Sequence, residues 1–121
     1  MTDDELVLNR VRSATTPTPG RAINQVRENQ FTIDEPTHLG GPGEQITPAD
    51  AFLAGVSSCG VLLVQGRARE VNIPLEGVEV NLEARRRRSD TSVFIGIDMH
   101  FRLTGPSQEQ ALELVDYYAH H

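Results

Sequence analysis

The sequence is poor in several residue types that would point to a particular class of protein. It has one cysteine, Cys59, no tryptophan, and only four Phe and two Tyr among 121 residues. One cysteine cannot form a disulfide within the chain, so we expect a cytoplasmic protein and not a disulfide-braced secreted one. The few aromatic residues predict a mainly aliphatic core, and the length fits one domain over residues 1–121.

Long hydrophobic runs are absent too. The longest stretch without a charged residue is the 16 residues from Ala51 to Gly66, which is shorter than the ~20 residues of a bilayer-spanning helix. The N-terminus reads MTDDELVL and is acidic, whereas a signal peptide begins with basic residues followed by an apolar stretch. We therefore expect neither a membrane span nor a signal peptide.

Positive charge is limited and is carried by arginine alone. The chain has 11 basic residues against 17 acidic ones, for a net charge of −6. Proteins that bind nucleic acid need a basic surface to neutralise phosphates, so we expect no nucleic-acid partner. Four arginines are consecutive, Arg85–Arg88, and such a run next to a turn is usually a solvated loop, with an anion-binding patch as the less common alternative.

The histidines give no sign of a metal site. His38 falls in a loop and His100 on a strand, while His120 and His121 close the sequence. None of them has the spacing of a metal ligand relative to another histidine or to Cys59. We therefore expect no metal and no cofactor.

The first half of the chain predicts short strands separated by turns. Leu6 and Leu8 alternate with polar residues, which indicates an edge strand, and the TTPTPG segment predicts that a linker completes residues 1–19. The segment AINQVRENQFTIDEP predicts a hairpin that turns around Glu28 and Asn29. The following THLGGPGEQ is a loop by composition.

Residues from Thr47 onward predict a long helix. Thr47, Pro48 and Asp50 have the spacing of an N-terminal capping box with proline in the first helical position. Beyond it, apolar residues fall on two faces, one with Phe52, Val56, Cys59 and Leu63 and the other with Leu53, Gly60 and Val64. A helix that is apolar around most of its circumference must be covered on several sides, and one candidate cover is the same helix of a second copy.

The second half predicts a long hairpin and another helix. Apolar residues alternate with polar ones over residues 78–84 and again at six positions over residues 93–103, which predicts two antiparallel strands with one buried face. Ser107 and Gln110 form a second capping-box pair, followed by an apolar stripe at Ala111, Leu112, Val115 and Tyr118. The order strand, hairpin, buried helix, hairpin, helix predicts an α+β fold with an antiparallel sheet.

Cys59 is either a reactive thiol or a small apolar residue in the core, and its local sequence leaves both interpretations open. A thiol with the ordinary pKa of about 8.5 is mostly protonated at pH 7 and needs a nearby positive charge to react. The helix start is roughly 16 Å away, too far for its dipole to act on the thiol. The charge must then come from an arginine, and the upstream candidates are Arg10, Arg12, Arg21 and Arg27.

Asp50 is a candidate to orient such an arginine, although its plainer role is to close the capping box. It precedes Cys59 by about 13 Å along the helix axis and about 180° around it, so one straight helix cannot bring both to one site. If both residues act, the carboxylate must come from a partner chain or work through an intervening arginine.

Several of these segments, taken in order, resemble the OsmC/Ohr family. They are DEPTHLGGPGEQITPADAFLAGVSSC, a helix ending in RAREVNIPLEGVEVNLEA, the strand VFIGIDMHFRLTG and the helix PSQEQALELVDYYA, and they cover the chain from about residue 20 to the end. The resemblance implies an OsmC-like fold and an intertwined homodimer, in which two long central helices are wrapped by sheets from both chains.

The resemblance also implies a function. Peroxidases of this family reduce organic hydroperoxides in oxidative-stress defence through a cysteine on the central helix, and the matching residue is Cys59. An arginine and a carboxylate in the site hold the thiolate. We assign Arg21 as the arginine, with Arg12 and Arg27 as alternatives, and Asp50 as the carboxylate.

Two departures from the family pattern keep a second hypothesis open. The peroxidases carry a second cysteine after the last helix, where this sequence ends, so we expect an external thiol reductant unless the natural chain continues. The peroxidases also carry a glutamate at the position of Ala49, whereas the acidic residue of this sequence, Asp50, lies one position later. The alternative is an OsmC-like dimer without turnover that binds a small lipophilic ligand in a cleft around Phe52, Val56 and Leu63.

Overall fold

The computed structural model of the chain describes residues 5–120, and these form an α+β protein. Along this part of the chain the elements are β1 (Arg12–Thr15), β2 (Arg21–Val26), β3 (Asn29–Asp34), a short 3-10 helix (Thr37–Leu39), α1 (Pro48–Glu70), β4 (Gly77–Arg87), β5 (Asp90–Thr104) and α2 (Gln108–Ala119). The predicted order of strands and helices is confirmed. The elements fall into two compact units, one ending at Ala51 and the other beginning at Phe52, and a single domain over residues 1–121 stays a prediction.

The first unit contains a three-stranded antiparallel sheet in the order β1-β2-β3. Arg21 lies opposite Asp34 at the open end of the β2–β3 pair. At the closed end the turn consists of Arg27 and Glu28, and Arg27 has a φ of 55°, the positive value that two-residue hairpin turns require. The predicted hairpin is confirmed, but its turn lies one residue earlier than predicted.

Strand β1 lies later in the chain than predicted. The alternation at Leu6 and Leu8 predicts a strand there, but residues 5–11 are outside any strand and both leucines are exposed. The reason is the register: Arg12 pairs with Gln25, so residues upstream of Arg12 would soon pass the end of β2 and find no backbone partner. Residues 1–4 of the predicted segment lie outside the described residues.

The loop over residues 35–47 is tied back to the sheet. The Asp34 N–H donates to the Ile46 carbonyl at 2.9 Å, and the Glu35 N–H donates to the Gly20 carbonyl at 2.8 Å. Gly41 must be a glycine here, because a Cβ at this position would overlap the Glu35 carbonyl. The predicted loop is confirmed apart from the short 3-10 helix, and both of its ends are fixed close to Asp34.

Helix α1 begins as the sequence predicts. The Thr47 N–H donates to Asp50 Oδ2 at 3.1 Å and the Asp50 N–H donates to Thr47 Oγ1 at 3.2 Å, which completes the capping box. The helix then runs for 23 residues, from Pro48 to Glu70. By length and composition alone it could cross a membrane, although the core helix of a soluble protein passes the same test. The absence of a membrane span stays a prediction.

A small aliphatic core joins α1 to α2 in the second unit. Its buried residues are Val64, Ala68 and Leu114. Half-buried residues pack around them: Ile73, Leu75, Val78, Phe101, Leu103 and Tyr118. Gly60 allows the hairpin to approach the helix, since a Cβ there would lie 3.1 Å from the Met99 side chain. The prediction of a buried helix is thus confirmed for the face that carries Gly60 and Val64.

Helix α2 is capped as predicted but buries a different leucine. Ser107 Oγ accepts from the Gln110 N–H at 3.2 Å, and Gln110 Oε1 accepts from the Ser107 N–H at 3.0 Å. Leu112, which belongs to the predicted stripe, is 62% exposed, whereas Leu114 is 1% exposed. The buried face follows positions 111, 114, 115 and 118, and Leu112 falls outside this spacing.

Strands β4 and β5 form the predicted long antiparallel hairpin. Near its open end the predicted alternation is confirmed, because residues 78, 80, 82 and 84 and residues 99, 101 and 103 are half-buried between exposed neighbours. The prediction is wrong for the outer part of β5, where Val93, Ile95 and Ile97 are 54%, 53% and 40% exposed. The core described above packs near Met99 and Phe101, and its residues include none of these three.

Candidate functional site

Cys59 lies midway along α1 with its free thiol on an exposed side of the helix. The residues at helical spacing on this side are uncharged and exposed, and together with Cys59 they form what we call the open face: Phe52, Gly55, Cys59, Leu62 and Gly66. The opposite side, which we call the packed face, consists of Gly60, Val64 and Ala68, all buried. Val56 and Leu63, predicted to share a face with Cys59, are half-buried at its border.

The two glycines of the open face have free space around them. A Cβ on Gly55 or Gly66 would meet no atom within 4 Å. Glycine inside a helix is less stable than alanine by about 1 kcal/mol, so packing within this chain does not explain either residue. Phe52 and Leu62 of the same face are 58% and 63% exposed. The open face therefore has the shape and polarity to be covered by a second backbone.

An aromatic pair borders the N-terminal end of the open face. The rings of Phe52 and Phe94 stack with centroids 6.1 Å apart and planes 15° apart. The Arg86 guanidinium lies over the other ring, 5.2 Å from the Phe94 centroid. Phe52 precedes Cys59 by about two helical turns, so this apolar pair lies on the same side of the helix as the thiol, toward the N-terminus.

Arg21, at the start of β2, is held by two carboxylates. Its Nε donates to Asp34 Oδ1 at 2.7 Å, and its Nη2 donates to Asp34 Oδ2 at 2.9 Å and to Glu44 Oε1 at 2.8 Å. Asp34 is fully buried, and its Oδ2 also accepts the backbone N–H groups of Glu44 and Gln45 at 3.0 and 2.9 Å. The pair between Arg21 and Asp34 is thus bidentate, and all of its atoms are fixed by the sheet and the loop.

These contacts shift the pKa of both partners. The hydrogen bonds from Arg21 hold the pKa of Asp34 at about 2 against the opposing effect of burial, and the N–H groups of Gln45 and Glu44 lower it further. Hydrogen bonds to Asp34 and then to Glu44 raise the pKa of Arg21 above its usual value. The stability that the Asp34 carboxylate contributes is therefore present above its ordinary pKa of 3.8 and is lost only as the pH falls toward 2.

Asp34 is a residue that the sequence prediction missed, although a signal for it exists. A hairpin that turns at Arg27 and Glu28 places Arg21 directly opposite Asp34. The predicted turn, one residue later, shifts the register and separates the two charges. With the turn at Arg27 and Glu28, the sequence predicts that an aspartate and an arginine face each other at the ends of two strands, and this pairing is the signal for Asp34.

The other predicted site residues are placed as follows. Asp50 is exposed, and within the described chain the hydrogen bonds of its side chain and N–H with Thr47 are those of the helix cap. Arg12 and Arg27, the alternatives to Arg21, are exposed and form no salt bridge with any described residue. Of the three arginines, only Arg21 therefore has a fixed guanidinium. Whether Arg21 and Asp50 act with Cys59 stays a prediction.

The run of arginines is exposed, as expected, but it is not a simple loop. Arg85, Arg86 and Arg87 belong to β4, where the register shifts twice, and only Arg88 lies in the turn. Arg85 forms a salt bridge with Asp98 across the hairpin. The sequence prediction of a loop is wrong for the first three because pairing with β5 continues almost to the tip.

The part of the chain that the structure describes contains no group of three or more His, Cys, Asp or Glu residues suited to hold a metal ion. Of the histidines, His120 is placed beside the Asp116 carbonyl, with Nδ1 2.9 Å from the oxygen. His121 lies outside the described residues.

The chain is similar to a known protein family and to a curated relative. The family model described as OsmC-like protein matches residues 41–121. A curated relative, the hydroperoxide reductase of Mycoplasma genitalium, is 27% identical over 101 residues, which are 79% of this chain and 70% of the relative.

Solved structures share the fold. The organic hydroperoxide resistance protein OsmC from Legionella pneumophila has a TM-score of 0.71 at 23% identity, covering 93% of this chain and 82% of that one. The OsmC-like protein from Mycoplasma pneumoniae has a TM-score of 0.76 at 18% identity, covering 98% and 82%. At these identities the likeness shows the α+β architecture with its long helix, and the function rests on other grounds.

Proposed function

The chain belongs to the OsmC-like protein family, and on that premise we propose that it is a cysteine-based peroxidase that reduces organic hydroperoxides in oxidative-stress defence in the cytoplasm. The observation that carries the proposal is the free thiol of Cys59, exposed on the uncharged open face of a long helix. The name of the Mycoplasma genitalium relative, hydroperoxide reductase, supports the same chemistry.

In the proposed reaction the Cys59 thiolate attacks the terminal oxygen of the hydroperoxide ROOH. An S–O bond forms and the O–O bond breaks, so the sulfur is oxidised to a sulfenic acid and the peroxide is reduced to the alcohol ROH, which takes up one proton. The role proposed for Arg21 is to stabilise the thiolate and the negative charge that develops on the leaving oxygen. Arginine suits this role because it stays charged at any relevant pH.

A thiol from outside these 121 residues completes the cycle. Cys59 is the only cysteine in the sequence, so its sulfenic acid must condense with another thiol, releasing water and forming a mixed disulfide. A second thiol then attacks that disulfide, which returns Cys59 to its reduced form and oxidises the reductant to its own disulfide. We expect a dithiol to be the most efficient reductant, because its second thiol is already at the site.

We also propose that the protein works as a homodimer. Two surfaces of the second unit support this: the open face of α1, and the outer hairpin with Val93, Ile95 and Ile97 exposed. A two-stranded hairpin is marginally stable in water unless its apolar face is covered. A second copy would cover both surfaces and exclude water from the thiol. The role of Asp50 beside Cys59, proposed from the resemblance, requires such a partner or an intervening arginine.

The proposal is tested by the rate of Cys59 oxidation in stopped flow, with an organic hydroperoxide and with hydrogen peroxide, and with a sulfenic-acid trap present. We expect oxidation that prefers the organic peroxide and exceeds that of a free thiol by about tenfold or more, because a thiolate is the reactive species. Cys59→Ser serves as the blank and should lose all trapped product. Oxidation of Cys59 at the rate of a free thiol would reject the proposal.

A second candidate function is a dimer without turnover that binds a small lipophilic ligand. The observation in its favour is the aromatic pair at the end of the open face, in which an exposed Phe52 stacks on a half-buried Phe94. It is distinguished by binding of a fatty-acid-like fluorescent probe to wild-type protein and to Cys59→Ser. Equal binding by both proteins, together with slow oxidation of the thiol, would favour this second function.

A further inference from the structure

The end of the β4–β5 hairpin carries positive charge that its neighbours do not neutralise. Arg85 is paired with Asp98, whereas the next three arginines form no salt bridge with any described residue. We call these three residues, 86–88, the basic tip. The whole chain has a net charge of −6, so the basic tip is a local exception on an acidic protein.

The aspartate next to the basic tip is engaged elsewhere. Asp90 lies opposite Arg87 in the register of the hairpin. Its Oδ1 instead accepts hydrogen bonds from the N–H and the hydroxyl of Ser92. Arg86 contacts the ring of Phe94, which is neutral, so this arginine also keeps its full charge. Three guanidinium charges therefore remain available to an anionic partner.

The basic tip lies well beyond the aromatic contact between the hairpin and helix α1. From Phe94, which stacks on Phe52, the turn at Ser89 is five residues away, or roughly 15 Å of strand. Helix α2 packs still farther back, at Phe101, and the Debye length at physiological salt is about 8 Å, so the acids of α2 are screened at the tip. Every residue over 85–93 is exposed, so the tip is a projection and not a pocket that encloses a small ion.

We propose that the basic tip binds the anionic headgroups of a lipid surface. Guanidinium forks match the oxygens of phosphate groups, and each arginine near an anionic membrane adds to the attraction. A flat surface requires neither a pocket nor an apolar core at the tip, and the contact requires no membrane span. Docking does not depend on the chemistry of Cys59, but it brings the proposed peroxidase close to organic hydroperoxides dissolved in lipid.

Other anionic partners fit the basic tip less well. A protein interface has a core in which charged residues are depleted, yet residues 86–92 are all charged or carry a hydroxyl group. A nucleic acid lies along a protein surface with several phosphates neutralised, and the net charge of −6 opposes this away from the tip. A lipid surface meets the tip end-on and keeps the acids of α2 more than a Debye length away.

The test is the double variant Arg87→Gln/Arg88→Gln, with Arg69→Gln/Arg102→Gln as the matched control. Each variant loses two exposed arginines that form no salt bridge within the described chain, so the net charge changes equally. The full chain is sedimented with vesicles of equal parts phosphatidylglycerol and phosphatidylcholine, and with vesicles of phosphatidylcholine alone. Circular dichroism checks that each variant is folded.

We expect wild-type protein to bind the anionic vesicles in about 100 mM salt and to be released in about 500 mM salt, because salt screens the attraction. The tip variant should bind about twentyfold to thirtyfold more weakly, since each arginine near the surface contributes about fivefold. The control variant should stay within about threefold of wild type. Vesicles of phosphatidylcholine alone should bind none of the three proteins.

Equal weakening by both variants would overturn the proposal, because net charge and not the tip would then decide binding. Wild-type binding to anionic vesicles that is no tighter than to phosphatidylcholine alone would reject it as well. Polyphosphate is a further arm of the experiment. If it binds wild-type protein more tightly than the vesicles do at the same phosphate concentration, the tip belongs to a soluble polyanion and the lipid surface is rejected.

A measurement on wild-type protein covers the case in which the tip variant does not fold. Anionic vesicles that carry a gadolinium-chelating lipid should broaden the backbone amide NMR signals of residues 86–92 before those of helix α1. Broadening that begins elsewhere in the chain would contradict docking through the tip. None of these readouts uses a peroxide, so a failure of docking leaves the proposed function untouched.

Discussion

The packed and open faces of helix α1 are made of similar residues in opposite surroundings. Both carry glycine and an aliphatic side chain, yet Gly60 and Val64 are buried, while Gly66 and Leu62 are exposed. The hairpin needs the missing Cβ of Gly60, whereas Gly66 has no neighbour that needs the space. The difference shows that residue type alone does not decide burial, and that one face of this helix lacks its cover within the described chain.

The largest expected effect separates two leucines, one in the core beneath the packed face and one on the open face. Leu114→Ala should lower the free energy of unfolding by about 3 kcal/mol, because it leaves a cavity in the core against Val64 and Ala68. Leu62→Ala should change it by less than about 0.5 kcal/mol in the monomer and should weaken association of two copies. Urea unfolding at two protein concentrations separates these cases.

The loss of unfolding free energy in Leu114→Ala should be the same at both protein concentrations. The loss in Leu62→Ala should be seen only at the higher concentration, where association of two copies stabilises the wild-type protein. A cost for Leu62→Ala that equals that of Leu114→Ala at the lowest concentration would contradict the distinction between the two faces.

A smaller effect is expected from adding one methyl group to each face. Gly60→Ala places a Cβ 3.1 Å from Met99 and 3.2 Å from Phe101, so we expect a net loss of about 1 kcal/mol despite the better helix propensity of alanine. Gly66→Ala meets no atom and should stabilise a single chain by up to about 1 kcal/mol. Thermal unfolding of both variants is the measurement.

Sedimentation of the same two variants sharpens the result. If a second copy covers the open face, Gly66→Ala should also shift the protein toward monomer, because the added methyl group separates the two backbones. Equal stabilisation by both substitutions would show that the packed face can accommodate a methyl group at Gly60, contrary to the short distances to Met99 and Phe101.

The smallest effect on stability is expected at Cys59 itself. Cys59→Ser exchanges one small exposed side chain for another and should change the free energy of unfolding by less than about 0.5 kcal/mol. The measurement is chemical unfolding at low protein concentration, with the loss of peroxide reduction as the accompanying readout. A loss of more than 1 kcal/mol would mean that the thiol is a packing residue, which would weaken the proposal that it is a nucleophile.

The starts of both helices could be predicted from the sequence because helix capping depends on neighbouring residues alone. Both capping boxes are present because each needs only residues three positions apart, Thr47 with Asp50 and Ser107 with Gln110. The hairpins were predictable from alternation and turn residues for the same reason. The fold class followed from the order of the elements, and the solved relatives confirm it.

Burial was less predictable, since it depends on what lies opposite each residue. Leu112 and Leu114 are both apolar residues on one helix, and only the position of the core decides which is buried. The outer alternation of β5 follows the rule for a half-buried strand, yet Val93, Ile95 and Ile97 are exposed. The pairing of Asp34 with Arg21 was missed because an error of one residue in the turn changes every facing pair.

The two-residue turn at Arg27 and Glu28 has a consequence for how this protein can evolve. Arg21 and Asp34 are the last facing pair of the hairpin, six positions from the turn on each strand. An insertion or deletion of one residue in the turn would point Asp34 to the other side of the sheet and leave a buried cavity where its carboxylate lies. We infer that relatives that keep this ion pair vary in the sequence of the turn, within the residues that tolerate a positive φ, but not in its length, so that gaps in an alignment should fall elsewhere.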